Sequence, residues 1–158
     1  MTEPLADQVL RKIGEAHLLY HRLILIVGPV GSGKTAALRQ VSASTSMPLV
    51  NVNLELSRRM LELTARQRAL QLPRILGDIV CAAAGEPVLL DSIEILFDIQ
   101  LKQDPLRLLQ GLSRNGTVVA AWNGSILDGH ITYAIPGHPE YRRYPIGDVL
   151  VASPEATT

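Results

Sequence analysis

The chain has 158 residues, 47% of them apolar and only 4% aromatic, and its fifteen basic and fifteen acidic side chains cancel. That length fits one compact domain with an aliphatic core, and the balanced charge excludes a surface built throughout to hold nucleic acid or an anionic membrane. Cys81 is the single cysteine, which excludes an internal disulfide and a zinc site with paired cysteines.

Thr2-Glu3-Pro4 reads as a helix start, with Thr2 as N-cap, and Leu5, Val9, Ile13 and Leu18 continue at helical spacing, placing an N-terminal helix within residues 1–20. This start has neither the basic residues nor the apolar stretch of a signal peptide. No apolar run approaches the ~20 residues a spanning helix needs, so a cytoplasmic protein with no membrane partner is expected. Residues 22–27 (RLILIV) form a short apolar run, read as a central parallel strand buried on both faces. A glycine-rich loop follows, then a helix over 33–41.

Residues 48–54 alternate and predict a second strand. Residues 57–70 and 72–84 predict helices interrupted near Pro73, and residues 87–91 a third strand ending on Asp91. Cys81 lies in the apolar run 79–83 and is expected as a buried structural thiol. Asp104-Pro105 starts another helix, which Asn115-Gly116 stops. Residues 117–122 (TVVAAW) predict a fourth strand ending at Asn123. Residues 124–147, rich in Gly, Pro, His and Tyr, read as an irregular loop. Residues 148–151 predict a fifth strand, and 153–158 a flexible tail. Strands alternating with helices imply one three-layer α/β domain over residues 1–152, with a mostly parallel five-stranded sheet.

The loop Gly28-Pro29-Val30-Gly31-Ser32-Gly33-Lys34-Thr35 matches the Walker A pattern G-x4-G-K-[ST] without a gap. Glycines let the backbone curl so that several N–H groups converge on an anion, and the following helix, with Ala36 in its first turn, adds the positive end of its dipole. Lys34 is placed to reach the β- and γ-phosphates, and the Thr35 hydroxyl to hold Mg²⁺. No Asn-Lys-x-Asp string is present, so ATP is expected rather than GTP, within a P-loop NTPase fold. A glycine turn with a chance lysine is the competing reading, and the strand before and helix after the loop argue against it.

Asp91, at the end of an apolar strand, suits the acid that orders the Mg²⁺ shell; it would otherwise simply cap the next helix. Glutamate often follows such an aspartate to polarise the attacking water, but Ser92 stands there. Glu94, three residues past Asp91, is the candidate base, with Glu55 as rival. Asn123, at the end of the fourth strand, would face the crevice where open α/β sheets bind ligands, unless Asn123-Gly124 is only a turn. Arg142 and Arg143 in the late loop are candidate charge-stabilising fingers toward a neighbouring subunit's nucleotide, or cover their own subunit's phosphates, or form surface ion pairs; Arg114 is a second candidate. Arg58, Arg59, Arg66, Arg68 and Arg74 form a basic cluster, read first as a solvated helix face and second as a face for DNA or a protein partner. His130 and His138 are too isolated for a metal site.

The strings LILIVGPVGSGKT, NVNLELSRRMLEL, PVLLDSIEILFD, LKQDPLRLLQGLSRN, VVAAWNG and GHPEYRRYP resemble the BrxF family, the small P-loop proteins of type 3 BREX bacteriophage-exclusion systems. The resemblance runs over residues 23–151. It implies an AAA+-like core, binding and hydrolysis of ATP, and membership of an anti-phage complex with other BREX proteins, with DNA near at hand directly or through partners. In AAA+ ATPases a polar residue placed as Asn123 is here helps position water beside the γ-phosphate. The chain ends soon after its fifth predicted strand, so a core without a helical lid is expected, and a neighbouring subunit would then cover the nucleotide in a homo-oligomer. Two other readings stand beside an oligomeric ATPase: a nucleotide-dependent assembly switch with little hydrolysis, favoured by Ser92 and the expected lack of a lid, and a small-molecule kinase.

Overall fold

Every residue of β1 (Leu23–Gly28) is buried, as its unbroken apolar run requires. The computed structural model describes residues 3–83, 85–147 and 149–154. The expected cap Thr2, the helix end at Ala84, the strand start at Asp148 and tail residues 155–158 lie outside the described residues. Around β1 are α1 (Leu5–Ala16), α2 (Lys34–Thr45), β2 (Leu49–Asn51), α3 (Val52–Met60), α4 (Ala65–Ala82), β3 (Val88–Asp91), α5 (Pro105–Leu112), β4 (Val118–Leu127), β5 (His130–Tyr133), β6 (Arg142–Pro145) and β7 (Leu150–Ala152). Two short 3-10 helices, Ile93–Phe97 and Ile99–Leu101, follow β3.

The main sheet has the order β2-β3-β4-β1-β7, and all four pairings are parallel. Successive residues of a strand face opposite sides. Leu23, Leu25 and Val27 therefore enter one core, shared with α3, α4 and α5. Ile24 and Ile26 enter a second, shared with α1 and α2. Helices on both faces of a mostly parallel sheet make the three-layer α/β arrangement that the alternation of elements predicts.

Among the described residues the sheet has seven strands, not five. Residues 124–147 are not an irregular loop: β4 runs on to Leu127, β5 pairs with it antiparallel, and β6 pairs antiparallel with β5. The turn lies at Asp128-Gly129, both with positive φ (52° and 72°), the two-residue hairpin geometry that Asp-Gly favours. Asn123-Gly124 is not a turn. Gly124 sits inside β4 opposite Tyr133, and a Cβ there would overlap the Thr132 carbonyl oxygen. Close approach of β5 accounts for the glycine.

The middle segment also departs from expectation. The second strand is only Leu49–Asn51, because the Asn51 side chain accepts a hydrogen bond from Leu54 N (2.9 Å) and starts α3 at Val52. The break between helices falls at residues 61–64, where Thr64 and Gln67 form a reciprocal capping box. Pro73 lies inside the continuous helix α4. A proline there cannot donate to the carbonyl of residue 69, and Gln103 Nε2 takes that carbonyl instead, at 2.8 Å. Gln103→Ala should therefore destabilise the fold by about 1 kcal/mol in urea unfolding. In a Pro73→Ala background, where a backbone N–H can return, the same change should cost less.

Cys81 is exposed, not buried. The buried stripe of α4 is Leu72, Ile75, Leu76 and Ile79, and Cys81 lies off it, on the face that borders an open cleft between α4 and α5. Among the described residues no helix is long and apolar enough to cross a membrane.

Candidate functional site

β1 and β3 end at one edge of the parallel sheet, on either side of β4, which runs on past it. β1 ends at Gly28, which pairs in register with Asn123 of β4; on the other side of β4, β3 ends at Asp91. The loop from Gly28 to Gly33 crosses this edge and enters α2. Gly28 is required by contact: a Cβ would lie 2.7 Å from Ser32 Oγ and 2.9 Å from Pro154 Cγ. Gly31 and Gly33 are required by backbone conformation, with φ of 80° and 97° and open space where a Cβ would stand. Among the described residues no side chain caps the N-terminus of α2, so its first-turn N–H groups remain available to an anion.

Lys34 is buried, at 6% exposure. Its Nζ donates to Gly28 O (2.8 Å) and Pro29 O (2.6 Å), with Ser32 Oγ at 3.4 Å. All three acceptors are neutral, and among the described residues no carboxylate forms an ion pair with it. Burial pushes its pKa below the ordinary lysine value, with Glu94 and Asp91 pulling it partly back. Thr35 Oγ1 donates to Asp91 Oδ1 at 3.1 Å, and Ser92 N donates to the same oxygen at 2.9 Å. Asn123 Nδ2 donates to Glu94 Oε1 at 2.8 Å. Lys34, Thr35, Asp91, Ser92, Glu94 and Asn123 share a cavity of about 330 Å³ with Val30, Gly31 and Ala36.

The sequence-predicted residues thus divide. The loop residues, Asp91, Glu94 and Asn123 come together at one strand edge. Arg142 and Arg143 do not line this cavity. They lie on β6, where Arg142 donates to Gln103 O at 3.0 Å and Arg143 Nη2 stands 3.3 Å from His130 Nδ1. Glu55 is in the first turn of α3, paired with Arg58 at 3.2 Å, and lies outside the cavity. Arg114 stacks over Tyr20, its guanidinium carbon 5.3 Å from the ring centre, next to the opposite, amino-terminal edge of the strands. His138 Nδ1 accepts from Glu140 N, and His130 Nδ1 lies 2.8 Å from Asp128 O; both contacts are local to their turns.

Sequence reasoning missed the support beneath Glu94 and Asn123. Phe97 closes the 3-10 helix that carries Glu94. It stacks on Tyr133 (3.5 Å between centres, 8°) and meets Trp122 edge-on (4.9 Å, 87°). Trp122, the residue before Asn123, donates from Nε1 to Thr132 O at 3.0 Å. Burial, with Glu140 and Glu94 adding, raises the Tyr133 pKa to about 12. The signal was present as three aromatics in an aromatic-poor chain, but their contact depends on the β4–β5 hairpin.

Thr35 and Asp91 offer hard oxygen donors of the kind Mg²⁺ takes, already within hydrogen-bond reach of each other. Among the described residues no cluster of three or more His, Cys, Asp or Glu could hold a metal ion alone. An ion here would complete its shell with phosphate oxygens and water.

No family model matches the chain, and no curated protein matches it. Among solved structures it is similar to PCH-2 of C. elegans, with 19% identity and a TM-score of 0.42 over 78% of this chain and 36% of that one. The chain spans about a third of that protein's length.

Proposed function

We propose that the chain binds ATP with Mg²⁺ at the β1–α2 loop and hydrolyses it. The observation that carries this reading is Lys34: a buried ammonium held, among the described residues, only by neutral acceptors, in a cavity that also presents a helix N-terminus no described side chain caps. A phosphate chain would supply the directly bonded anionic partner that Lys34 does not have among the described residues. Lys34 would leave the loop carbonyls for the β- and γ-phosphates, and Thr35 would turn from Asp91 toward the metal. Asp91 would then hold the metal's water shell, and Glu94, steadied by Asn123, would take the proton of the attacking water. Mg²⁺, when bound, neutralises charge on the transferred phosphoryl group.

Beyond this chemistry, the resemblance to BrxF supports a place in a bacterial anti-phage system, as an AAA+-like oligomer with DNA-associated partners. Arg142 and Arg143, lying outside the chain's own cavity, would then serve a neighbouring subunit's site. A second reading is favoured by Ser92, which stands with φ 57° where a catalytic glutamate often stands: a nucleotide-dependent switch with little hydrolysis. Sedimentation velocity with and without ATP–Mg²⁺, run beside phosphate release, tests both. Assembly with turnover supports the oligomeric ATPase, and assembly without phosphate release supports the switch. Failure to bind ATP removes both readings.

The state of Lys34 also predicts a pH dependence. Phosphate favours the charged ammonium, so nucleotide raises a pKa that burial lowers in the free protein. Affinity is then full below the free-state pKa and falls as pH rises from that value toward the bound-state one, beginning below the ordinary lysine range. Binding should take up protons in this window, measurable by calorimetry in buffers of different ionisation enthalpy; a pH-independent affinity with no proton uptake speaks against a role for Lys34.

A further inference from the structure

A second cavity, of about 500 Å³, opens at the other edge of the sheet, between α4 and α5. Leu76, Val80, Leu108 and Leu112 wall it, and Val88 and Val118, the first residues of β3 and β4, form its floor. Two glycines keep it open. Gly77 lies within α4 and Gly111 within α5, and a Cβ on either meets nothing within 4 Å. Neither has the positive φ that would call for glycine. Glycine inside a helix is destabilising relative to alanine, so here neither crowding nor backbone conformation accounts for it. What the missing side chains provide is room.

The rim carries charge. Glu86 is already engaged: it accepts from Thr117 N at 2.8 Å and lies 4.0 Å from Arg22. The exposed Arg107 guanidinium has no hydrogen bond or ion pair among the described residues, yet it borders the cavity. The volume falls within the roughly 300–1,000 Å³ of small-molecule sites, which pair an apolar lining with a few polar groups. We propose that this cleft is a second binding site, for a small apolar or aromatic molecule bearing one anionic group, with the apolar body between α4 and α5 and the anion on Arg107. It is separate from the phosphate-loop cavity and does not depend on nucleotide binding.

A matched pair of fluorescent probes tests it on the full chain: anilinonaphthalene sulfonate, which carries the anion, and neutral N-phenylnaphthylamine, which lacks it. Both should bind wild type at a single saturable site. Arg107→Gln should weaken the sulfonate about fivefold, the scale of one partly exposed charge pair, and leave the neutral probe within about twofold. Gly77→Leu should abolish binding of both without lowering the unfolding temperature. If Gly77→Leu does not fold, the ratio of the two affinities in Arg107→Gln decides. The proposal is overturned if neither probe binds wild type saturably, as expected of a cleft that a protein partner fills. It is also overturned if folded Gly77→Leu binds both unchanged, or if Arg107→Gln affects both probes alike.

Discussion

Lys34→Ala is expected to weaken ATP–Mg²⁺ binding by about 100-fold or more, equivalent to roughly 2.7 kcal/mol. The magnitude follows from what the ammonium does in each state. Without nucleotide it is buried against two main-chain carbonyls and one hydroxyl, with no carboxylate paired to it. With nucleotide it exchanges neutral acceptors for phosphate oxygens, so that donor and acceptor both carry charge. The alanine variant loses this gain, and it also takes from the buried Gly28 carbonyl the donor it now has. Thermal unfolding reads the effect directly. Ligand at about 100 times its dissociation constant stabilises by about 2.7 kcal/mol, which for a domain of this size raises the melting temperature by roughly 5–10 °C. Wild type should show that rise and Lys34→Ala almost none, each read against its own melting temperature without nucleotide. An equal ATP-dependent rise in both would remove Lys34 from the site and the proposed function with it.

Much of this site was legible because its signals are local. The spacing Gly28-x4-Gly33-Lys34-Thr35 is read within eight residues, and the apolar run before it settles the strand. Asp91 and Asn123 were legible for a related reason: the carboxyl ends of parallel strands share one edge of the sheet, so two short apolar runs suffice to place them. What was missed depends on contacts distant in sequence, or on a competing local signal. Asn123-Gly124 and Asp128-Gly129 are both turn dipeptides, and only the pairing of Gly124 with Tyr133 selects the second. Pro73 reads as a helix breaker because its remedy, Gln103, lies thirty residues away. Cys81 sits in an apolar run, but burial follows the helical stripe rather than the run. Arg142 and Arg143 read as loop residues until β5 supplies the partner that makes β6 a strand.

Glu94→Gln is expected to slow phosphate release by about 100-fold while leaving ATP affinity within about threefold. A positioned general base typically contributes 10²–10⁴-fold, and the lower end suits a base that lies outside the usual position. Glutamine keeps a carbonyl oxygen for Asn123 Nδ2, which now donates to Glu94 Oε1 at 2.8 Å. The held geometry therefore survives and only the ability to accept a proton is removed. Asn123→Ala is the complementary change. It leaves the base but frees its carboxylate, and turnover should fall about tenfold, as expected when a catalytic group loses its orientation. Because the two residues act as one unit, the double variant should be no slower than Glu94→Gln alone. Each outcome separates the two readings of the site. A large loss with this non-additivity marks Glu94 as the base and the chain as an ATPase, with the aromatic contacts of Phe97, Trp122 and Tyr133 holding the pair in place. Unchanged release in Glu94→Gln, at a rate near that of ATP in solution, would mean that no carboxylate works on the water. The bond between Glu94 and Asn123 would then be a fastening between β4 and the segment after β3, and binding of ATP, rather than its cleavage, would be the event the fold is built to report.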